Sequence, residues 1–236
     1  MSTDGRAVLA AGNNADLYEA VFAAHGLRWD RRPEAFVAMD PPPPYYGAVT
    51  VLTPDAPEAV AAAIAETTAR FGRTAVKDSF RQISPTTSGL DVLFEAHWIW
   101  HDRVLPSTRT DWRRVTGDAD LLRWESAWAG APIGRRMFSP AFAARPEIAV
   151  LGREVDGLFV EGCIANRSDG CVGLSNLFSA VPSAEVFARA LSAVTSAFAG
   201  RPVAGYERGA ALDAARAAGC ETVGALRVLA SPVAGA

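Results

Sequence analysis

An α+β chain built twice over is what the 236 residues predict, and three observations predict it. A run of strand, helix, strand, short helix and strand occurs between Val49 and His101 and again between Ser175 and Ala230. The long helix of each run carries apolar anchors at the same spacing: Val60, Ile64 and Phe71 in the first, Phe187, Leu191 and Phe198 in the second. A helix and a meander of strands precede the second run, which therefore reads as the more complete copy. The organisation expected is a reduced unit over residues 1–105 and a fuller unit over residues 106–236.

The elements follow in order. "PPPPYYG", Pro41 to Gly47, is a stiff connector into a strand that starts at Ala48 and ends near Pro54. Steps of four and seven place Val60, Ile64 and Phe71 on one face of the helix that follows. Asp55 with Glu58 reads as its capping box, and Gly72 as its stop. The strand "TAVKDSF", a short helical segment to Gly89 and the strand "DVLFEAHWIW" complete the first copy. "TDWRRV" (Thr110–Val115) is then a strand, and "DADLLRWESAWAG" a helix capped by Asp118 or Asp120. "EIAVLGREVDG" and "LFVEGCIANRSDG" form a hairpin joined at Asp156-Gly157. The turn "NRSDG" leads into "CVGLSNLFS", which ends near Pro182. Helix, Gly200-Arg201, the strand "PVAGYE", a segment to Gly219 and the strand "ETVGALRVLA" close the second copy.

Composition excludes several functional classes. A formal charge of −3 without a Lys/Arg cluster argues against nucleic acid or an anionic membrane as partner. No apolar run approaches the roughly 20 residues of a membrane span, and the N-terminal stretch lacks a secretory pattern. A cytoplasmic protein is expected. Cys163, Cys171 and Cys220 have no C-x-x-C spacing, so they read as buried reduced thiols and not as a disulfide framework or zinc site. His97 and His101, on one strand, stand about 13 Å apart and share no metal. Glu95 and His97 find no third ligand nearby, and no metal is expected. The other strand face, Val92, Phe94, Ala96, Trp98 and Trp100, packs inward. Trp98, Trp100, Trp112, Trp124 and Trp128 read as packing between the halves.

Several phrases resemble the GNAT acyltransferase superfamily. "AVLGREVDGLFVEGCIA" is similar to that family's second and third strands, "VGLSNLF" to its fourth, and "GYERGAALDAARAAGCETVGALRV" to its fifth strand, last helix and sixth strand. The resemblance covers Asp111 to Ala230 well, with residues 15–101 as a second, eroded copy. It implies a mixed β-sheet with helices on both faces, duplicated about a pseudo-twofold. It also implies transfer of an acyl group, often acetyl, from coenzyme A to an amine. On this resemblance Leu177, Phe178 and Ser179 would run beside the pantetheine arm of acetyl-CoA or another acyl-CoA, which acts as cosubstrate and is not tightly held. Ser183 and Ala184 would lie at the pyrophosphate turn.

The chain departs from the family twice. The turn that usually reads Q/R-x-x-G-x-G/A reads "SAVPSAE" here and "LTPDAPE" in the first copy. Proline removes an N–H donor, and Glu185 brings a negative charge to the place of the phosphates. The family's last-helix tyrosine falls on Ala215 in the second copy and Pro85 in the first. Candidate chemistry moves to the fifth strand, where Glu207 or Tyr206 could face a cleft, one of the two only, because neighbouring strand residues alternate. Lys77, Asp78 and Ser79 hold the matching place in the first copy. The expectation is an atypical acyltransferase acting on a small-molecule amine. A non-catalytic ligand- or protein-binding descendant, and an enzyme of coenzyme-A-independent chemistry, remain open alternatives. The oligomeric state is not legible.

Overall fold

The computed structural model describes residues 2–102 and 111–232. The expected boundary at 105/106, and Thr110, lie outside the described residues. In chain order the first elements are α1 (Thr3–Ala24), β1 (Trp29–Arg31), β2 (Ala35–Ala38), β3 (Val49–Val51), α2 (Pro57–Phe71), β4 (Ala75–Asp78), α3 (Pro85–Ser88) and β5 (Asp91–His101). Then come β6 (Trp112–Arg114), α4 (Asp118–Ala129), α5 (Pro140–Ala143), β7 (Ile148–Val155), β8 (Leu158–Arg167) and β9 (Val172–Ser179). The chain closes with α6 (Ala184–Ala197), β10 (Val203–Glu207), α7 (Gly209–Ala217) and β11 (Glu221–Ala230).

Helix ends correct two expectations. Ala56 is the N-cap of α2 and no side chain caps it, so Asp55 and Glu58 form no capping box. Pro57 opens that helix instead, its fixed φ suiting the first helical position. Gly117 caps α4, with Asp118 and Asp120 inside the first turn, where carboxylates complement the helix dipole. The expected stop at Gly72 forms, in the left-handed region at φ 72. Along β5, Val92 is 41% exposed, and the inward face begins at Ala96.

Two compact units result: Met1–Trp98 with Val223–Ala236, and Ile99–Thr222. In the first, strands lie in the order β1-β2-β3-β4-β11-β5, with β3 and β4 parallel. Side-chain alternation sorts its core onto two faces. Phe36 and Ala38 pack with Tyr18 and Phe22 of α1, while Ala35 and Val37 pack with Val60 and Ile64 of α2. In the second, the order is β10-β9-β8-β7-β6. Ala149, Leu151, Cys163, Ala165, Val172 and Leu174 meet Phe187, Leu191 and Val194 of α6 and Leu212 and Ala215 of α7. The alternate residues Gly152 and Gly162 face Trp124 of α4. Trp124 is thus core of the second unit, against Phe138 and Phe178, and not packing between halves. Each unit carries helices on both faces of a mixed sheet, as expected.

The last strand is where the division departs from a single cut. Sequence order assigns β11 to the second copy, yet Val223–Ala230 lies in the first unit, antiparallel to β4 with Arg227 opposite Asp78. A buried ion pair fixes that register. Asp78 Oδ2 accepts from Arg227 Nε at 3.1 Å and from Ile83 N at 2.9 Å, and its Oδ1 accepts from Gln82 N at 3.0 Å. Arg227 also donates to the carbonyls of Arg81 and Ile83. One carboxylate thus binds the terminal strand and the turn after β4 together.

Lys77, the neighbour of Asp78, faces α1. Its Nζ donates to Asn14 Oδ1 at 2.6 Å and lies 4.9 Å from the Tyr18 ring centre. Burial pushes its ammonium down to about 7.

Asp78→Ala leaves the largely buried Arg227 guanidinium without a counter-charge, with only the Arg81 and Ile83 carbonyls beside it, and a loss of about 3 kcal/mol is expected in denaturant unfolding. The double variant Asp78→Ala/Arg227→Met should recover part of it. Lys77 makes a second expectation. Its ordinary value is 10.5 and its folded value about 7, so the unfolded chain binds more protons between those limits. Stability therefore rises with pH across that window, by at most about 1.4 kcal/mol per pH unit. Unfolding midpoints measured from pH 7 to 10 should show this rise, and Lys77→Met should remove it.

Candidate functional site

The site is built where β9 and β10 part. These strands are parallel, and their register pairs Val203 with Val172 and Ala204 with Gly173, at their starts. On its other side β9 runs antiparallel to β8, with Ile164 opposite Ser175 and then Gly162 opposite Phe178. Across that shift Cys163 alone faces Asn176 and Leu177. Asn176 takes φ 54, the left-handed region that asparagine tolerates better than most residues. Such a bulge bends its strand and re-aims the side chains beyond it.

Two glycines permit this geometry. A Cβ on Gly162 would fall 2.4 Å from Trp124 Nε1 and 2.5 Å from the Phe178 ring. Its absence lets those two aromatics meet edge to face at 5.3 Å, with Trp124 Nε1 donating to the Leu151 carbonyl at 2.8 Å. A Cβ on Gly205 would fall 2.6 Å from the Leu174 carbonyl oxygen, so glycine lets β10 come up against β9 just before they part.

Past the bulge lies a pocket of about 230 Å³. Leu177, Phe178 and Ser179 of β9 line one side and Glu207, at the end of β10, the other. Pro182, Val186 and Phe187 at the start of α6, with Ala211 of α7, complete it. The structure thus brings together three of the residues expected beside an acyl donor and the carboxylate expected to act as base. Tyr206 does not line this pocket, as alternation requires.

Glu207 has neither a hydrogen-bond nor an ion-pair partner among the described residues. Burial alone pushes its carboxyl up to about 7. The Tyr206 phenol is pushed up to about 12 by burial and by the Glu207 charge. The same two causes, in the same order, push the Cys220 thiol up to about 11. Near neutral pH, Glu207 is therefore poised between its two forms while Tyr206 and Cys220 keep their protons. Cys220, read from sequence as a core thiol, is buried and also lies in the field of this carboxylate. His101 was likewise not read as part of this region. Its Nδ1 is buried without a hydrogen-bond partner among the described residues, and its ring comes close to Gly219.

Ser183 and Ala184 stand at the helix start, outside the pocket lining. Ser183 is the N-cap of α6, its hydroxyl accepting from Val186 N at 3.3 Å. Glu185 accepts from its own backbone N–H and from the Ser183 hydroxyl, which with the Arg189 charge holds its carboxyl below the usual range. Arg189, one turn further along, is committed to Glu161 at 2.9 and 2.5 Å. The Val186 N–H and the Arg189 cation, two groups a diphosphate would use here, are thus engaged by the protein itself. In the first unit, Lys77 and Asp78 are consumed by the structural contacts described above, and Ser79 accepts from Trp98 Nε1 through its carbonyl at 2.8 Å. Among the described residues, no group of three His, Cys, Asp or Glu side chains could hold a metal ion. None of the described helices is long and apolar enough to cross a membrane.

No protein-family model and no curated protein matches the chain. Solved structures do. A GCN5-related N-acetyltransferase from Kribbella flavida superposes with a TM-score of 0.60 at 11% identity, over 96% of each chain. A GNAT-family protein from Novosphingobium aromaticivorans gives 0.58 at 10% identity, over 90% of this chain and 95% of its own. A GCN5-related N-acetyltransferase from Sphaerobacter thermophilus gives 0.52 at 12% identity, over 94% and 92%. At such identities the likeness concerns the fold and not the reaction. The strand–helix–strand order around the parted strands, present once in each copy, and these superpositions lead to one conclusion: the chain has the GNAT fold.

Proposed function

We propose that the second unit transfers an acyl group from a coenzyme A thioester to a small-molecule amine. The observation that carries this reading is the pocket that joins the backbone of Leu177–Ser179 to the unpartnered Glu207 carboxylate. A pocket of about 230 Å³ suits the acyl and thiol end of the donor and not the whole nucleotide. The chemistry at the α6 start agrees, since Glu185 and the Ser183 cap offer nothing to a diphosphate.

In this reading Glu207 takes a proton from the amine as its nitrogen bonds to the thioester carbonyl carbon. The carbon–sulfur bond then breaks, and the same carboxyl returns the proton to the departing thiolate. With Ala215 where the family has tyrosine, one group serves as base and then as acid. A carboxyl near 7 suits both duties at neutral pH. Leu177, Phe178 and Phe187 exclude water around it.

Free thiol released from acetyl-CoA, and from acetylpantetheine, with a panel of primary amines tests the reading. Both donors should turn over, with KM values within about tenfold of each other because the nucleotide finds no grip. Glu207→Gln should lower kcat by ~10²–10⁴. No thiol release from either donor, together with no rise in Tm, would overturn the reading in favour of a binding protein or of chemistry without coenzyme A.

Stability supplies an independent check on Glu207. Its carboxyl has an ordinary value of 4.5 and a folded value of about 7, so the native chain binds more protons between them. Wild-type stability therefore falls as pH rises through that window. Glu207→Gln should gain about 1–3 kcal/mol over wild type above pH 7 and little below pH 4.5. Equal effects at pH 4 and pH 8 would show that the carboxylate has a partner.

A further inference from the structure

We infer that the acceptor at the Glu207 pocket is an amine with no carboxylate on the carbon beside its nitrogen, an alkylamine and not an α-amino acid. The inference rests on the acyl-transfer reading of that pocket and adds a rule of charge to it. Among the side chains that line the pocket, Glu207 alone is charged and Ser179 alone is otherwise polar. The Ser179 hydroxyl donates to the Val181 carbonyl at 3.0 Å, so what it has left for a ligand is acceptor capacity. Glu207, in the ionised form that takes a proton from an amine, accepts only. The lining side chains therefore present acceptors and one negative charge, and no donor.

The surroundings do not reverse that balance. Arg189 is held by Glu161 at 2.9 and 2.5 Å. Arg208, next to Glu207 in the chain, is exposed, does not line the pocket and acts with its charge on Tyr206. The first turn of α7 has no side-chain cap, yet burial raises Glu207 with no opposing hydrogen bond, so those N–H groups do not turn toward this carboxylate. An amine nitrogen poised to give its proton to Glu207 lies about 3 Å from a carboxylate oxygen. A carboxylate on the α-carbon would then stand roughly 5 Å from that of Glu207, with no cation between them. At an effective dielectric constant of about 20, that repulsion disfavours an α-amino acid by about a hundredfold. A neutral group of the same size at that carbon meets no such penalty, so the rule concerns charge and not bulk.

The test uses the full chain, saturating acetyl-CoA and three amines of one skeleton: 3-methylbutylamine, leucinamide and leucine. Thiol release gives kcat/KM for each. The first two should agree within about tenfold, and leucine should fall about a hundredfold below both. The leucine nitrogen is intermediate in basicity between the other two, so basicity alone cannot place it last. The carboxyl ¹³C signal of Glu207, titrated across its pKa without acyl donor, reads binding separately. Millimolar 3-methylbutylamine should lower that pKa from about 7 by about one unit or more, and leucine should leave it in place. Turnover of leucine within tenfold of the other two, or a fall of leucinamide along with leucine, would overturn the inference and leave acyl transfer standing. No thiol release with any of the three, while 3-methylbutylamine and not leucine still moves Glu207, would overturn acyl transfer and keep the charge rule for a bound amine. No release and no movement of Glu207 would overturn both.

Discussion

Everything at the candidate site depends on one mismatch: a single residue of β8, Cys163, standing against two of β9, Asn176 and Leu177. Without it, β9 would continue in register beside β8, and Leu177 to Ser179 would keep the alternation set by Val172 and Leu174. With it, the strand bends past Asn176, and the space between the ends of two parallel strands becomes a pocket instead of a hydrogen-bonded seam. The mismatch is held from both sides. Gly162 clears room for Trp124 and Phe178 below the bulge, and Gly205 draws β10 close at the last point before the strands separate. A larger residue at Gly162 would push Phe178 out of its contact with Trp124, and the strand end would lose its support.

How much of this was legible in the sequence follows from what kind of physics set each feature. The anchors of α2 and α6 were legible because steps of four and seven are dictated by helix geometry alone. The hairpin at Asp156-Gly157 was legible because both residues must take positive φ, and they do, at 49 and 79. Long α1 left no comparable mark. Five of its eleven buried residues are alanines and two are asparagines, spread widely round the helix, so no apolar stripe stands out. The capping box at Asp55 failed because Pro57 sets where α2 can begin, one residue after Ala56. Asn176 was the least legible residue of the site. An asparagine inside an apolar strand hints at positive φ, but which partner strand it slips against is a long-range fact.

Strand partnership marks the same limit at the chain's end. The pattern of "ETVGALRVLA" identifies a strand and stays silent on its neighbour. Partnership with β4 is decided by Asp78, which needs a cation to be buried, and by Arg227, which supplies it at the right register. The repeat is therefore clear as an order of elements and blurred as a division of the chain, because the first unit is completed by residues that follow the second copy.

Glu207 shows how burial can hold a site in readiness. Asp78 and Glu125 are more deeply buried carboxylates than the half-buried Glu207, and both are satisfied: Asp78 by Arg227 and two backbone N–H groups, Glu125 by Arg136 and the N–H groups of Met137 and Phe138. Glu207 has none of this among the described residues. An unpartnered carboxylate lining a pocket weakens the fold at neutral pH, since the charged form lacks donors and the neutral form must hold a proton. The cost is borne at one end of a parted strand pair, opposite the backbone beyond the bulge. There the carboxylate lines the pocket, and among the described residues it meets no hydrogen-bond or ion-pair partner.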